Sequence, residues 1–427
     1  MNQIRKVGTL TLGCKVNQYE TDAVTELLEN AGYQTVPFEE EADVYIINTC
    51  SVTNVADRKS MKMIRRAKKK NPEAVIVAMG CFVQAKAEEL ENTEFIDILI
   101  GNNKKKEIVS VLEEYFETHR KKTEVMDLFH THDYEELSLK KQVEHTRAYI
   151  KVQDGCNQFC SYCIIPYTRG RARSRKKEQI LEEIKSLGKE GYKEVVLTGI
   201  HLSSYGKDLE NTSLLDLIQE VSKIEEIKRI RLGSLEPNII TEEFVMALKD
   251  NEKFCPHFHL SLQSGCDETL KRMNRHYKAA DFKEKALLLR KYFDRPALTT
   301  DVIVGFPGET EEEFKATYEF LKDIEFYEMH VFKFSPRKGT RAESMENQVP
   351  EEIKNQRSAI LIELGNQNKE AYEALFEQEE KEILIEEEIE ENGEVFFVGH
   401  TKRYIRYQVP KNEKTAINEL LLFKREQ

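Results

Sequence analysis

Three times within the first 81 residues an apolar run stops and a cysteine follows two positions later. The runs are Val7–Leu12, Asp43–Asn48 and Val75–Met79, and the cysteines are Cys14, Cys50 and Cys81. A fourth run, Ile96–Ile100, has no cysteine. Helical spacing fills the gaps: Glu20–Ala31 carries Val24, Leu27, Leu28 and Ala31 on one face and stops at Gly32. Near-continuous apolar strands alternating with helices predict a doubly wound parallel sheet, covered on both faces. The C-terminal ends of such strands share one edge. Three thiols delivered there can hold one metal group; three buried structural cysteines are the alternative, a common fate for free thiols.

The alternation resumes farther along. Strand candidates are Ala148–Gln153, Glu194–Thr198, Arg229–Leu232, His257–Leu262, Thr299–Val304 and Met329–Phe334. Helices separate them, as at Glu178–Gly188 with Ile180, Ile184 and Leu187 on one face. Six strand–helix repeats predict an incomplete (β/α)6 barrel, whose ligands gather at the C-terminal strand ends. A Glu-rich helix from about Pro350 to Glu379 leads into short strands at Glu382–Glu388, Val395–Gly399, Arg406–Val409 and Leu420–Phe423. With the turn pair Asn392-Gly393, these predict a small antiparallel β-barrel. The fold class is α/β, with expected domains at 1–117, 147–365 and 366–427 and a charged, His-containing linker at 118–146.

Composition narrows the setting. A 40% hydrophobic content excludes disorder. No stretch of about 18 apolar residues exists to span a membrane. Met1–Lys6 runs into an apolar stretch too short for a signal peptide, so a cytoplasmic protein with no membrane partner is expected. Lys and Arg number 64 against 76 Asp and Glu, a net −12. That average disfavours passive nucleic-acid binding, but binding needs only a local basic surface. Arg58–Lys70 contains no acid, and Arg169–Lys177 follows a cysteine cluster. A solvated helix face is the alternative for the first.

Without a secretion signal, the eight cysteines are not expected to form disulfides. Cys156, Cys160 and Cys163 form C-x3-C-x2-C. One loop can wrap three thiolates around a [4Fe–4S] core and leave its fourth iron open. A zinc site is the competing reading, but it wants four ligands, and His145 is the nearest upstream candidate. Cys255 and Cys266 have no ligand-spaced partner and read as structural; His201 and His330 read as core histidines.

This loop, just after the first barrel strand, resembles that of the radical S-adenosylmethionine (SAM) superfamily. Adding Cys14, Cys50 and Cys81, the arrangement resembles the methylthiotransferases along nearly the whole chain. Further matches are Leu197–Gly206, Arg231–Pro237, His259–Gly265 and Asp301–Thr310. The resemblance implies two [4Fe–4S] clusters, one on Cys156, Cys160 and Cys163 and an auxiliary one on Cys14, Cys50 and Cys81. It implies a C-terminal RNA-binding barrel of the TRAM type. It makes Tyr162 a neighbour of the SAM adenine, and Gly199, Ser234, Glu236 and Gln263 candidates for polar contacts with SAM or substrate. One SAM would methylate a sulfur on the auxiliary cluster; a second would yield a 5′-deoxyadenosyl radical that activates the substrate carbon. The implied partners are a tRNA anticodon stem-loop, an electron donor of the flavodoxin or ferredoxin type, and an unknown sulfur donor.

The segments Cys14–Glu20, Cys50–Asp57 and Gln263–Asp267 resemble the branch acting on N6-threonylcarbamoyladenosine. That base carries a carboxylate, for which Lys15 and Arg337 are candidate partners. Lys402, Arg403, Tyr404, Arg406 and Tyr407 mix charge with stacking surface in the tail and are expected to face RNA. The alternatives are the same chemistry on N6-isopentenyladenosine or a ribosomal-protein aspartate, a radical SAM reaction using the auxiliary cluster only for electron transfer, and a non-catalytic iron–sulfur RNA-binding protein.

Overall fold

A computed structural model describes residues 4–140, 146–411 and 415–424. Residues 1–3 and His145 lie outside the described residues. The chain forms two compact units. One comprises Met1–Val143, Lys151–Lys176 and Ser335–Glu343; the other comprises Glu144–Ile150, Lys177–Phe334 and Ser344–Gln427.

The first unit is built on β1 (Lys6–Thr11), α1 (Lys15–Asn30), β2 (Gln34–Val36), β3 (Val44–Thr49), α2 (Asn54–Lys70), β4 (Val75–Gly80), α3 (Cys81–Glu91), β5 (Ile98–Ile100), α4 (Ile108–Thr118) and β6 (Lys122–Glu124). All six strands are parallel, in the order β2-β1-β3-β4-β5-β6. Alternation of side chains splits the core in two. Tyr45, Ile47, Ile76 and Ala78 pack with Ile64 and Phe82 of α2 and α3. Val44, Ile46, Val75 and Val77 pack with Val24 and Ile108 of α1 and α4. The short strands β2 and β6 were not expected; β6 draws Lys122–Glu124 out of the stretch read as linker and pairs it with β5. Strand order turns back between β1 and β3, the position where open α/β sheets bind ligands.

Residues 147–176 supply β7 (Arg147–Asp154), which starts in the second unit and ends in the first, then α5 (Ile165–Arg169) and β8 (Arg173–Ser174). The second unit continues with α6 (Lys177–Lys189), β9 (Glu194–Gly199), α7 (Leu214–Ser222), β10 (Arg229–Leu232), α8 (Glu242–Lys249), β11 (His257–His259), α9 (Asp267–Arg272), α10 (Ala279–Tyr292), β12 (Ala297–Val304), α11 (Glu311–Ile324) and β13 (Glu328–Lys333). Parallel pairing joins β9 to β10 and β11 to β12 to β13, and parallel bridges at Ile230–Phe254 and Leu235–Leu260 join β10 to the β11 segment. Caps fix the helix starts: Ser213 accepts from Asp216 N, and Thr310 and Glu313 form a reciprocal capping box.

Helix α12 (Glu351–Ala374) runs unbroken across position 365. Beyond it, β14 (Lys381–Glu391), β15 (Glu394–Thr401), β16 (Arg406–Pro410) and β17 (Leu420–Phe423) form an antiparallel half-barrel in the order β16-β15-β14-β17. Asn392 and Gly393, both at positive φ, turn β14 into β15. Ile383, Ile385, Phe397 and Val409 fill its core. Among the described residues, no helix is long and apolar enough to cross a membrane.

Candidate functional site

Cys14 precedes α1, Cys50 follows β3, and Cys81 opens α3, so all three thiols stand at one edge of the first sheet. Two asparagines tie the loops together. Asn17 Nδ2 donates to Leu12 O (2.8 Å) and Thr49 O (3.1 Å), and Asn48 Nδ2 donates to Asn17 O (2.9 Å). Gly80 sits at φ +97, where a Cβ would lie 2.4 Å from Asn48 Oδ1, so no larger residue fits before Cys81. All eight cysteines are free. The three thiols feel one another electrostatically. Burial pushes Cys50 up to about 11. Cys14, accessible yet crowded by protein, is also raised by burial, against the opposing pull of Arg169. Such thiols ionise when a cation arrives to bind them. Asn102 Nδ2 and Arg169 Nε donate to Cys81 Sγ at 3.5 and 3.3 Å. Free thiols at one edge, with N–H donors aimed at sulfur, fit an iron–sulfur cluster.

The second triplet belongs to the same unit. Its loop is closed by Cys156 N donating to Gly170 O and Cys163 N to Cys160 O, both 3.0 Å. Gly155, at φ +70, passes so near Arg171 O that a Cβ would lie 1.9 Å away. Cys156 is buried; Cys160, Cys163 and Tyr162 are partly so.

Beside the first triplet lies a buried ion cage the sequence reading missed. Glu20 meets Arg169 at 2.9 Å, Lys151 at 2.7 Å and Lys105 at 3.1 Å, and Asp154 meets Arg169 at 3.0 Å and Lys151 at 2.7 Å. Burial works against the Glu20 charge, but Arg169, Lys105 and Lys151 hold its carboxyl well below the ordinary range. One signal was available: Val16, Glu20, Val24 and Leu28 form an i, i+4 row in which the glutamate is the odd member, and all four are buried.

The Arg169–Lys177 run is therefore not an open basic surface. Arg169, Arg173 and Arg175 are at most 2% exposed, and Arg175 pairs with Glu136 at 3.4 Å. The Arg58–Lys70 run does present its cations to solvent along α2. Arg337 corrects a second expectation. Its Nη2 donates to Asp57 Oδ2 and Ser51 Oγ, both 2.8 Å, and its Nη1 to Asn54 Oδ1 at 2.7 Å. Its two Nη donors brace the Cys50 loop and its charge is paired with Asp57, while its Nε has no hydrogen-bond partner among the described residues and the side chain lines the cavity beside Tyr167. Elsewhere in this unit two aromatic rings are open to solvent. Tyr167 is 50% and Phe129 39% exposed. Arg171 lies 4.3 Å from the Phe129 ring and 4.8 Å from that of Phe159, which meets Tyr167 edge-on. Beside Tyr167 opens a cavity of ≈ 520 Å³, lined also by Gln84, Lys86, Ile164 and Lys338.

In the second unit, Gly199 ends β9, Ser234 and Glu236 follow β10, and Gln263 follows β11. Glu236 binds Arg275 at 2.6 Å and faces His201 at 3.7 Å. Burial opposes its charge, but His201 and Arg275 hold it below the ordinary carboxylate range. His201 is buried as expected. His330 is not: it is exposed, stacked on His259, and grouped with Asp301. Cys255 and Cys266 are buried. The tail residues expected to meet RNA mostly turn inward. Lys402 and Arg403 donate to backbone carbonyls of Glu252, Asp294 and Arg295, and Tyr404 stacks between His257 and His400. Arg406 alone of these five is exposed.

Known proteins resemble the chain along most of its length. Residues 150–321 match the family described as "Radical SAM superfamily", and residues 6–101 that described as "Uncharacterized protein family UPF0004". The threonylcarbamoyladenosine tRNA methylthiotransferase MtaB of Bacillus subtilis (strain 168) is 43% identical over 93% of this chain and 88% of its own. The tRNA-2-methylthio-N(6)-dimethylallyladenosine synthase of Clostridium tetani is 37% identical over 88% of this chain and 84% of its own. Among solved structures, the radical S-adenosylmethionine methyltransferase TsrM from Kitasatospora setae matches with a TM-score of 0.58 at 15% identity, covering 80% of this chain and 74% of that one. At that identity the likeness concerns the fold.

Proposed function

This chain belongs to the radical SAM methylthiotransferases of the MtaB type, and we propose that it adds a methylthio group to C2 of N6-threonylcarbamoyladenosine beside the anticodon of tRNA. The enzyme uses SAM and [4Fe–4S] clusters. We assign one cluster to Cys156, Cys160 and Cys163 and the other to Cys14, Cys50 and Cys81. The observation that carries the assignment is the folding of all six free thiols into one unit, in which Arg169, six positions after Cys163, donates to Cys81 Sγ. When bound, the clusters supply one-electron reduction of SAM and carry the sulfur to be transferred.

The remaining roles fall to the chain's own side chains. Arg337 and Asn17 hold the Cys50 and Cys14 loops in register. Tyr167, Phe129, Phe159 and Arg171 offer stacking faces to bases unstacked from the anticodon loop. The exposed cations of α2 offer phosphate contacts. With Arg337 engaged by Asp57, Lys15 and Lys338 are the cations we assign to the substrate carboxylate. In the second unit, Gly199, Ser234, Glu236 and Gln263 are assigned to SAM or substrate, and Tyr162 in the loop to the adenine. The reductant is of the flavodoxin or ferredoxin type, and the enzyme works in the cytoplasm, where its tRNA is.

The test offers cluster-reconstituted enzyme two hypomodified tRNAs, one bearing threonylcarbamoyladenosine and the other isopentenyladenosine. A methylthio product on the first alone is expected; a product on the second alone refutes the substrate and leaves the reaction class standing. Cys50→Ala should lose about half the iron while still cleaving SAM. Normal product from that variant would remove the auxiliary triplet from the mechanism.

A further inference from the structure

Arg169 connects the two cysteine triplets through the chain itself. It lies six positions after Cys163 and ends α5, yet its guanidinium is fully buried and reaches the edge of the first sheet. Nη1 donates to Glu20 Oε1 (2.9 Å) and Asp154 Oδ1 (3.0 Å), and Nη2 to Asn17 Oδ1 (2.7 Å) and Glu20 Oε2 (3.1 Å). Those bonds fix the plane of the group. They leave Nε–H pointing at Cys81 Sγ, 3.3 Å away. Cys14 and Cys50 also lie within the guanidinium's electrostatic reach.

Among the described residues the cage holds more cations than carboxylates. Arg169, Lys105, Lys151 and Arg173 are buried cations; Glu20 and Asp154 are the carboxylates seen to meet them, and Glu135 acts on Lys151 from farther out. A positive excess buried away from water needs an anion beside it. A cubane bound by three thiolates is a net anion in its oxidised state and more strongly so once reduced. A fixed cation and an N–H···S bond therefore favour the reduced state.

We propose that Arg169 sets the reduction potential of the cluster bound by Cys14, Cys50 and Cys81, raising it through its Nε–H···Cys81 bond and its buried charge. Arg169 is thus a positioning residue for the auxiliary site, supplied by the segment that carries the other triplet. The inference rests on the ligand assignment made above.

The experiment removes the first cluster with Cys156→Ala, Cys160→Ala and Cys163→Ala, so that any iron bound reports the auxiliary site. The midpoint potential is then read by dye-mediated titration, followed by visible absorption and electron paramagnetic resonance. Arg169→Gln should shift the midpoint to more negative values. Arg169→Lys, which keeps the charge, should shift it less, and Glu20→Gln, which removes a neighbouring anion, should move it the other way. An unchanged midpoint in an iron-loaded Arg169→Gln variant overturns the proposal. Should that variant take up no iron, Arg169→Lys, which keeps a charge but moves the donor off Cys81, decides in its place: a negative shift supports the proposal and an unmoved midpoint overturns it. If the background protein itself binds no iron, the ligand assignment fails and the inference falls with it.

Discussion

Tyr404→Ala should loosen the second unit and leave RNA affinity unchanged. The ring is stacked on His400 at 4.5 Å and on His257 at 5.1 Å. The guanidinium carbons of Arg147 and Arg231 lie 4.8 and 4.9 Å from its centroid. Each cation–π contact to a desolvated arginine contributes about 1–2 kcal/mol. The lost apolar area of a half-buried aromatic adds about 1.5 kcal/mol. Together these give about 3.5–5.5 kcal/mol, near the range for truncating a large packed ring. For a unit of this size that lowers Tm by about 7–22 °C. Tyr404→Phe keeps the ring face and should stay within about 1 kcal/mol of the parent. Calorimetry measures Tm, and filter binding of an anticodon stem-loop well below the transition measures affinity. An unchanged Tm with weakened RNA binding in Tyr404→Ala would refute the packing role and return this residue to the RNA surface.

Other consequences are equally open to measurement. Arg337→Met leaves Asp57 with only Lys86, at 4.0 Å, as a cation and should cost about 3–5 kcal/mol in denaturant unfolding; a loss under about 1 kcal/mol would show the Arg337 ion pair to be dispensable. Glu20 and Asp154 are held below their ordinary pKa values, so the stability they contribute is present at neutral pH and lost as pH falls from about 5 through their folded values. Glu20→Gln should therefore flatten the acid limb of the stability–pH curve, and an identical limb would count against the cage. Arg171→Ala should weaken stem-loop binding and reduce the salt slope by about 1, while Tyr167→Ala should weaken it with the slope unchanged; no effect from either would move the RNA elsewhere.

Sequence reading worked where structure is local. The runs that became β1, β3 and β4 are apolar because both of their faces are covered, and the cysteines after them fall at one edge because parallel strands share their polarity. It failed where partners are distant. Gln34–Val36 and Lys122–Glu124 have no apolar signature, since they join the sheet through backbone hydrogen bonds. Arg169, Arg173 and Arg175 look like a surface run because nothing nearby in sequence neutralises them; Glu20 is 149 residues away from Arg169. Arg337 misled in the same way, with Asp57 at a separation of 280. Tyr404 mixes with basic residues as an RNA-binding face would, yet its neighbours come from β7, β10, β11 and β15.

These long separations also order events on the ribosome. Glu20 emerges 149 residues before Arg169, and Asp57 emerges 280 residues before Arg337. At about 5–20 residues per second, the delays are roughly 7–30 s and 14–56 s. Until their cations emerge, Lys105, Lys151 and Arg169 in turn for Glu20 and Lys86 and then Arg337 for Asp57, the two carboxylates stay hydrated, because dehydrating either one alone is too costly. The six-stranded sheet is translated first, but its cysteine edge is finished last, by a segment made after the strands of the second unit from β9 to β13. A nascent chain that stalls within those strands would carry all six cluster thiols while the Cys50 loop still lacked its brace.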